Sequence, residues 1–373
     1  SRFIEKQILS SLKPHFVVCL FGARRVGKTV LLEKIKHHLS SQKILVVHGQ
    51  DLTVQEKLSS QKIEALRGFL TGYDFLFIDE AQYIPNIGIN LKLITDSLSV
   101  SILATGSSAF VLKNKIGEPL VGRSVFFNLF PVAQMELSPA ENTLQTAEKL
   151  EERLIFGYYP QVVTALTKKE RIVVLENLRD GYLLKDILAL DNLKDSVFVF
   201  NLLRQIAFQI GHDVSYAEIA QNLNTHPKTV QRYLELLEKT FIVFPIFGFS
   251  RNLRKEYTKT PRYYFWDNGV RNVLISNFNE LNLRDDVGQL WENFCVVERI
   301  KKNKYKTIPV NYFYWRTYDQ KEIDLVEERN GKLYGYEMKL GKANAKKPKK
   351  FLETYPGSQY KIVNRENYLD FIT

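Results

Sequence analysis

Residues 22–29 read Gly-Ala-Arg-Arg-Val-Gly-Lys-Thr. This octet restricts the fold more than any other stretch, because it works only between a strand and a helix. Gly22 and Gly27 let the backbone turn tightly and point its N–H groups inward. The helix that follows aims its positive N-terminal end at the same place. The flanks suit it: Phe16-Val17-Val18-Cys19-Leu20-Phe21 is a short apolar run, and Val30-Leu31-Leu32-Glu33-Lys34-Ile35 opens a helical pattern. The expectation is a phosphate-binding loop made of Gly22, Ala23, Arg24, Arg25, Val26, Gly27, Lys28, Thr29 and Val30. Lys28 would act catalytically by reaching the β- and γ-phosphates of ATP, and the Thr29 hydroxyl would hold Mg²⁺.

A nucleotide site needs an acidic half on a neighbouring strand, and Tyr73-Asp74-Phe75-Leu76-Phe77-Ile78-Asp79-Glu80 supplies it. The apolar run reads as a buried parallel strand. Its acids fall at the C-terminal edge, where open α/β sheets bind ligands. Asp79 is the expected Mg²⁺ ligand, directly or through water. Glu80 is placed to orient or deprotonate the attacking water. Residues 43–48 and 100–105 read as further strands, with Thr105 and Ser107 as candidate γ-phosphate sensors. Helical stretches lie between them, so the sheet is expected to be mostly parallel with helices on both faces.

The chain has 373 residues, enough for two or three domains. With 45% hydrophobic and 25% charged residues it reads as an ordinary soluble protein. No apolar run approaches the roughly 18 residues of a membrane span, and the amphipathic N-terminus predicts no signal peptide. Cys19 and Cys295 are the only cysteines, which fits a reducing, cytoplasmic setting. A net charge of +11 points to a polyanionic partner, with nucleic acid, and DNA first, as the candidate. The basic residues gather at Arg251, Arg254, Lys255, Lys259 and Arg262, at Lys301, Lys302, Lys304 and Lys306, and at Lys342, Lys346, Lys347, Lys349 and Lys350.

After Pro139 the pattern becomes helical. Phe156-Gly157-Tyr158-Tyr159-Pro160 reads as a turn and residues 182–187 as part of a helix, both structural. Ser215 is a candidate cap for a helix over 216–223, with Glu218 three residues on. A turn at 224–227 and a second helix over 229–237 complete a helix-turn-helix layout, with Lys228, Gln231 and Arg232 on the first turn of the second helix. Residues 241–244 and 262–267 are candidates for a wing. A winged helix serves equally as a protein-docking or structural module.

The last stretch holds a second constellation. Residues 290–298 form an amphipathic helix pattern, 312–316 a strand, and 322–327 and 332–339 a hairpin turning at Asn330-Gly331. Glu337 and Lys339 share one face of the last strand, and Asp324 can meet them across the hairpin. Carboxylates that bind Mg²⁺ beside a lysine that holds water suit a metal-dependent phosphodiesterase. With Glu292 on the preceding helix, the set Glu292, Asp324, Glu337 and Lys339 resembles the PD-(D/E)xK nuclease superfamily.

The octet, Ile-Asp-Glu-Ala-Gln (78–82), Ala-Thr-Gly-Ser-Ser (104–108), Gly122-Arg123 and Leu129-Phe130-Pro131 together resemble a family of prokaryotic AAA-like ATPases. The resemblance implies a winged-helix segment and a restriction-endonuclease-like α/β domain after the ATPase core. It also implies that Arg123 is an arginine finger or γ-phosphate sensor; acting in trans, it would demand a homo-oligomer. The expected division is 1–140 for the core, 141–275 for the helical and winged-helix part and 276–373 for the nuclease-like part. The expected function is ATP binding and hydrolysis acting on, or regulated by, nucleic acid. The alternatives are an ATP-regulated, Mg²⁺-dependent endonuclease and a nucleotide-switched scaffold with slow turnover.

Overall fold

The apolar run before the octet is strand β1 (Phe16–Phe21), and the octet leads directly into helix α2 (Lys28–His38), after a first helix α1 (Glu5–Ser11). The computed structural model describes residues 2–107, 120–183, 196–249, 260–317, 321–341 and 348–373. Ser108, residues 184–187, Arg251, Arg254, Lys255, Lys259, Lys342, Lys346 and Lys347 lie outside the described residues. The chain divides into two units, Ser1–Pro131 with Lys239–Phe241, and Val132–Glu238 with Ile242–Thr373.

In the first unit the chain continues through β2 (Ile44–His48), α3 (Leu52–Leu58), α4 (Ile63–Leu70) and β3 (Phe75–Asp79). A 3₁₀ turn (Ala81–Tyr83), α5 (Ile87–Ser97), β4 (Ser101–Gly106) and β5 (Ser124–Asn128) follow. The five strands form one parallel sheet in the order β2-β3-β4-β1-β5. Helices flank the sheet. One face packs Val17, Cys19, Ile78 and Ile102 against Leu66 of α4 and Leu91 and Ile94 of α5. All six residues of β4 are buried, as a central strand covered on both faces requires.

Two features depart from the sequence expectation. The acidic strand β3 is not next to β1, because β4 takes the slot between them. The Ser-Ile-Leu-Ala-Thr-Gly strand has the small and apolar side chains that the doubly covered position demands. The sheet also has a fifth strand, β5, whose partly exposed Ser-Val-Phe-Phe-Asn gives only a weak strand signal.

The second unit begins with short helices α6 (Gln134–Leu137), α7 (Thr143–Glu148), α8 (Leu150–Phe156), α9 (Pro160–Thr164) and α10 (Lys168–Leu178). They are followed by α11 (Ser196–Phe208), α12 (Tyr216–Asn222) and α13 (Pro227–Lys239). The Ser215 hydroxyl caps α12 by accepting from the Glu218 N–H at 3.3 Å. Beyond these come β6 (Val243–Gly248), β7 (Arg262–Phe265), α14 (Asn268–Leu274), α15 (Val287–Tyr305), β8 (Asn311–Arg316) and β9 (Glu322–Arg329). The unit ends with β10 (Lys332–Met338), α16 (Lys349–Thr354), β11 (Gln359–Val363) and α17 (Tyr368–Ile372).

One six-stranded sheet joins them in the order β11-β10-β9-β8-β6-β7. The hairpin over the candidate wing therefore forms, since β6 and β7 pair antiparallel, but β6 also pairs with β8 and so belongs to the larger sheet. Asn330 and Gly331 both have positive φ, at 51° and 71°, as the tight β9–β10 turn needs. Gly157 has φ 74°, and a Cβ there would lie 2.1 Å from an Asp267 carboxylate oxygen. That carboxylate accepts the Tyr158 and Val270 N–H groups at 2.6 and 3.1 Å. The turn after α8 is thus explained by packing.

Candidate nucleotide site

The octet bends sharply after β1. Arg25 (φ 62°) and Gly27 (φ 100°) both lie in the left-handed region, and the turn brings Lys28 and Thr29 to the first turn of α2. A Cβ on Gly22 would lie 2.2 Å from the Leu129 carbonyl oxygen. The segment leaving β5 therefore crosses too close for any other residue, and the Leu129 N–H donates to Phe21 at 2.6 Å. Arg2 ties the same corner together by donating to the carbonyls of Val26 and Phe130 at 2.7 and 2.6 Å. Ala23 and Val26 are buried. The Lys28 side chain is 5% exposed, and its Nζ donates to the Gly22 and Ala23 carbonyls at 2.9 and 3.0 Å. Arg24 donates to the Tyr83 hydroxyl at 2.9 Å. Val30 is exposed, beside a groove of about 830 Å³ that also borders Thr29, Lys34 and His37.

The second motif meets the first at one point. The Thr29 hydroxyl donates to the Asp79 carboxylate at 2.8 Å. Thr105, at the tip of β4, donates to the other Asp79 oxygen, and the Glu80 N–H donates to Thr105 Oγ1 at 3.1 Å. Thr105 is thus engaged with the acids because β4 lies between the two motifs. Glu80 has φ 55°, and its carboxylate accepts from the Gln82 side-chain amide, which also donates to Ser107 at 3.1 Å. Gly49, just after β2, packs against this corner: a Cβ there would lie 2.2 Å from the Glu80 carbonyl oxygen. Gln82 falls inside the Ile-Asp-Glu-Ala-Gln motif, but its contacts, like the roles of Gly49 and Arg2, have no sequence signal, because they depend on contacts between strand ends.

Arg123 lies elsewhere. Its carbonyl accepts the Val17 N–H at 2.9 Å, just before β5 begins. Val17 is near the start of the strand that ends at the octet, so Arg123 sits at the opposite end of the strands, roughly 13 Å away along β1. Its guanidinium pairs with Asp96.

In the second unit, the β9–β10 register that sets Tyr336 opposite Leu325 carries Asp324 to the level of Glu337. Burial, and then the charge of Asp324, push Glu292 up to about 8. Burial and the charge of Glu337 push Asp324 up to about 7. Burial opposes the charge on Lys339, but its pairing with Glu337 at 2.8 Å and the charges of Asp324 and Glu292 hold it above its usual value. The four side chains thus share one electrostatic neighbourhood. Each carboxylate already has a protein donor: Glu292 takes the Tyr264 hydroxyl at 2.7 Å and Asp324 the Met338 N–H at 2.7 Å. Among the described residues, no group of three or more His, Cys, Asp or Glu is arranged to hold a metal ion. No described helix is long and apolar enough to cross a membrane.

A family model described as an AAA domain matches residues 14–138. Two models for domains of unknown function, DUF8612 and DUF4143, match residues 147–281 and 287–371. An uncharacterized protein of Haemophilus influenzae is 24% identical over 353 residues, spanning 87% of this chain and 82% of its own length. One of Mycobacterium tuberculosis is 27% identical over 327 residues, spanning 87% and 70%. Among solved structures, AMPPCP-bound DnaA from Aquifex aeolicus aligns at 14% identity with a TM-score of 0.29, covering 63% of this chain and 86% of that one. Cdc6p from Pyrobaculum aerophilum aligns at 14% identity with a TM-score of 0.29, covering 67% and 87%. The AAA-domain match falls almost entirely within the first unit and spans all five strands of its parallel sheet.

Proposed function

We propose that the protein binds ATP with Mg²⁺ at Gly22–Thr29 and Asp79, hydrolyses it, and acts on or is regulated by nucleic acid. The observation that carries this reading is the Thr29–Asp79 hydrogen bond at 2.8 Å, which joins two motifs 50 residues apart. A hydroxyl beside a carboxylate is the hard-oxygen set that Mg²⁺ prefers, and the left-handed Gly27 turn is the cradle that phosphates need. When bound, Mg²⁺ supplies positive charge against the phosphate oxygens.

Thr29 and Asp79 would hold the ion, and Lys28 would turn from the loop carbonyls to the phosphates. Glu80 would orient the attacking water and take its proton. The water oxygen bonds to the γ-phosphorus and the bridging oxygen leaves with ADP; the proton then passes from Glu80 to solvent. Arg123 lies at the opposite end of the strands, so any role at a nucleotide is assigned to that of a neighbouring copy. The basic balance of +11 supports a nucleic-acid partner. The division at 140 and 275, and the winged-helix role of α12 and α13, belong to the same proposal.

The test measures phosphate release with and without DNA or RNA. Glu80→Gln should bind nucleotide and release almost no phosphate. A biological function surviving in Glu80→Gln would favour a nucleotide-switched scaffold instead. The four residues near β10 do not hold a metal as they stand, so no cleavage step is derived for them. Metal-dependent cleavage that Asp324→Ala and Lys339→Ala abolish, while ATP hydrolysis survives, would establish the endonuclease reading.

A further inference from the structure

The 3₁₀ turn after β3 carries a side chain that this hydrolysis scheme leaves unused. Glu80 sits in the left-handed region at φ 55°, a strained setting for a residue with a Cβ. Two contacts hold its backbone there. Its N–H donates to Thr105 at 3.1 Å, and its carbonyl rests where any Cβ on Gly49 would intrude. The side chain still has three rotatable bonds, which backbone contacts alone leave free. Gln82 removes that freedom. One amide nitrogen has two N–H donors, and here one meets the Glu80 carboxylate while the other meets Ser107 Oγ at 3.1 Å. Ser107 is buried and directly follows β4, whose Thr105 fixes Asp79. The same turn reaches the phosphate loop through Tyr83 and Arg24.

We propose that Gln82 is a positioning residue for ATP hydrolysis: its amide, anchored on Ser107, holds the Glu80 carboxylate where it takes the proton of the attacking water. The proposal rests on the ATPase reading above and deepens it. A misplacement of a reacting group by about 1 Å can cost roughly 100-fold in rate, so loss of the amide should act on kcat and spare binding.

The experiment measures phosphate release by the full chain at saturating Mg²⁺·ATP, together with titration of a fluorescent ATP analogue. Gln82→Ala should lower kcat by about 10- to 100-fold with analogue affinity kept within about twofold. Ser107→Ala should lower kcat by a smaller factor. In a Glu80→Ala background, Gln82→Ala should have no further effect, because it acts through Glu80. If that background has no measurable turnover, non-additive unfolding midpoints across the same four proteins are expected instead. An unchanged or raised kcat in Gln82→Ala, or additive effects with Glu80→Ala, would overturn the role of Gln82 and leave the ATPase reading standing. Wild-type protein that releases no phosphate would overturn that reading itself, and Gln82's role with it.

Discussion

Lys28 shows how a single side chain divides the two kinds of information. Its identity and place in the octet are legible in the sequence; its burial and its contacts with the Gly22 and Ala23 carbonyls are tertiary facts. Lys28→Ala removes a buried cation from the phosphate site. A charge-assisted hydrogen bond is worth about 1.5–3 kcal/mol, so nucleotide affinity should fall roughly 10- to 100-fold in a fluorescence titration, with unchanged far-UV circular dichroism. Gly22→Ala tests the other side of the loop. The new Cβ meets a backbone oxygen, not a flexible side chain, so a destabilisation of about 1–3 kcal/mol is expected, read as a lower denaturant midpoint. A variant with the wild-type midpoint would refute the close crossing of Leu129. Glycine at position 22 is readable as a motif letter, but the crossing segment that demands it is not.

At the scale of elements, β1, the strand half of the acidic motif and the β9–β10 hairpin follow from apolar runs and turn residues. The partly exposed edge strand β5 escapes because its half-buried residues show no clear alternation of polar and apolar side chains, and β11 escapes because its alternation lasts only five residues. Helix α14 supplies a pH test. Its N-cap, Asp267, accepts backbone N–H groups but is fully enclosed, and burial pushes its carboxyl up to about 6 from 3.8. A folded-state value above the unfolded one means that the folded state binds the proton more tightly. The contribution is fully present below about pH 4 and is lost as pH rises through 6. A rise of that size corresponds to on the order of 3 kcal/mol. Urea unfolding of wild type and Asp267→Asn across pH 4 to 7 should show wild type losing stability relative to the variant as pH rises. A constant difference would mean that Asp267 does not titrate in that window.

At the scale of the molecule, the positive balance predicts nucleic-acid binding whose log affinity falls linearly with log salt, by about 0.7–0.9 per phosphate neutralised. Fluorescence anisotropy on labelled DNA between 50 and 200 mM salt checks this, and binding unaltered by salt would exclude a phosphate-dominated contact. Arg123→Ala addresses assembly: if Arg123 serves a neighbouring copy, hydrolysis should fall while the nucleotide affinity of each copy is kept. The octet and the Asp79-Glu80 pair are determined by the sequence alone, since phosphate and metal chemistry dictate residue types at short spacing. The tertiary structure alone decided that β4 separates the two motifs, that Thr105 and Gln82 secure the acids, and that the carboxylates near β10 are already bonded to protein donors. Those outcomes depend on strand order and on contacts between strand ends far apart in the chain. Spacing along the chain does not encode such contacts, because packing creates them only when the sheet closes.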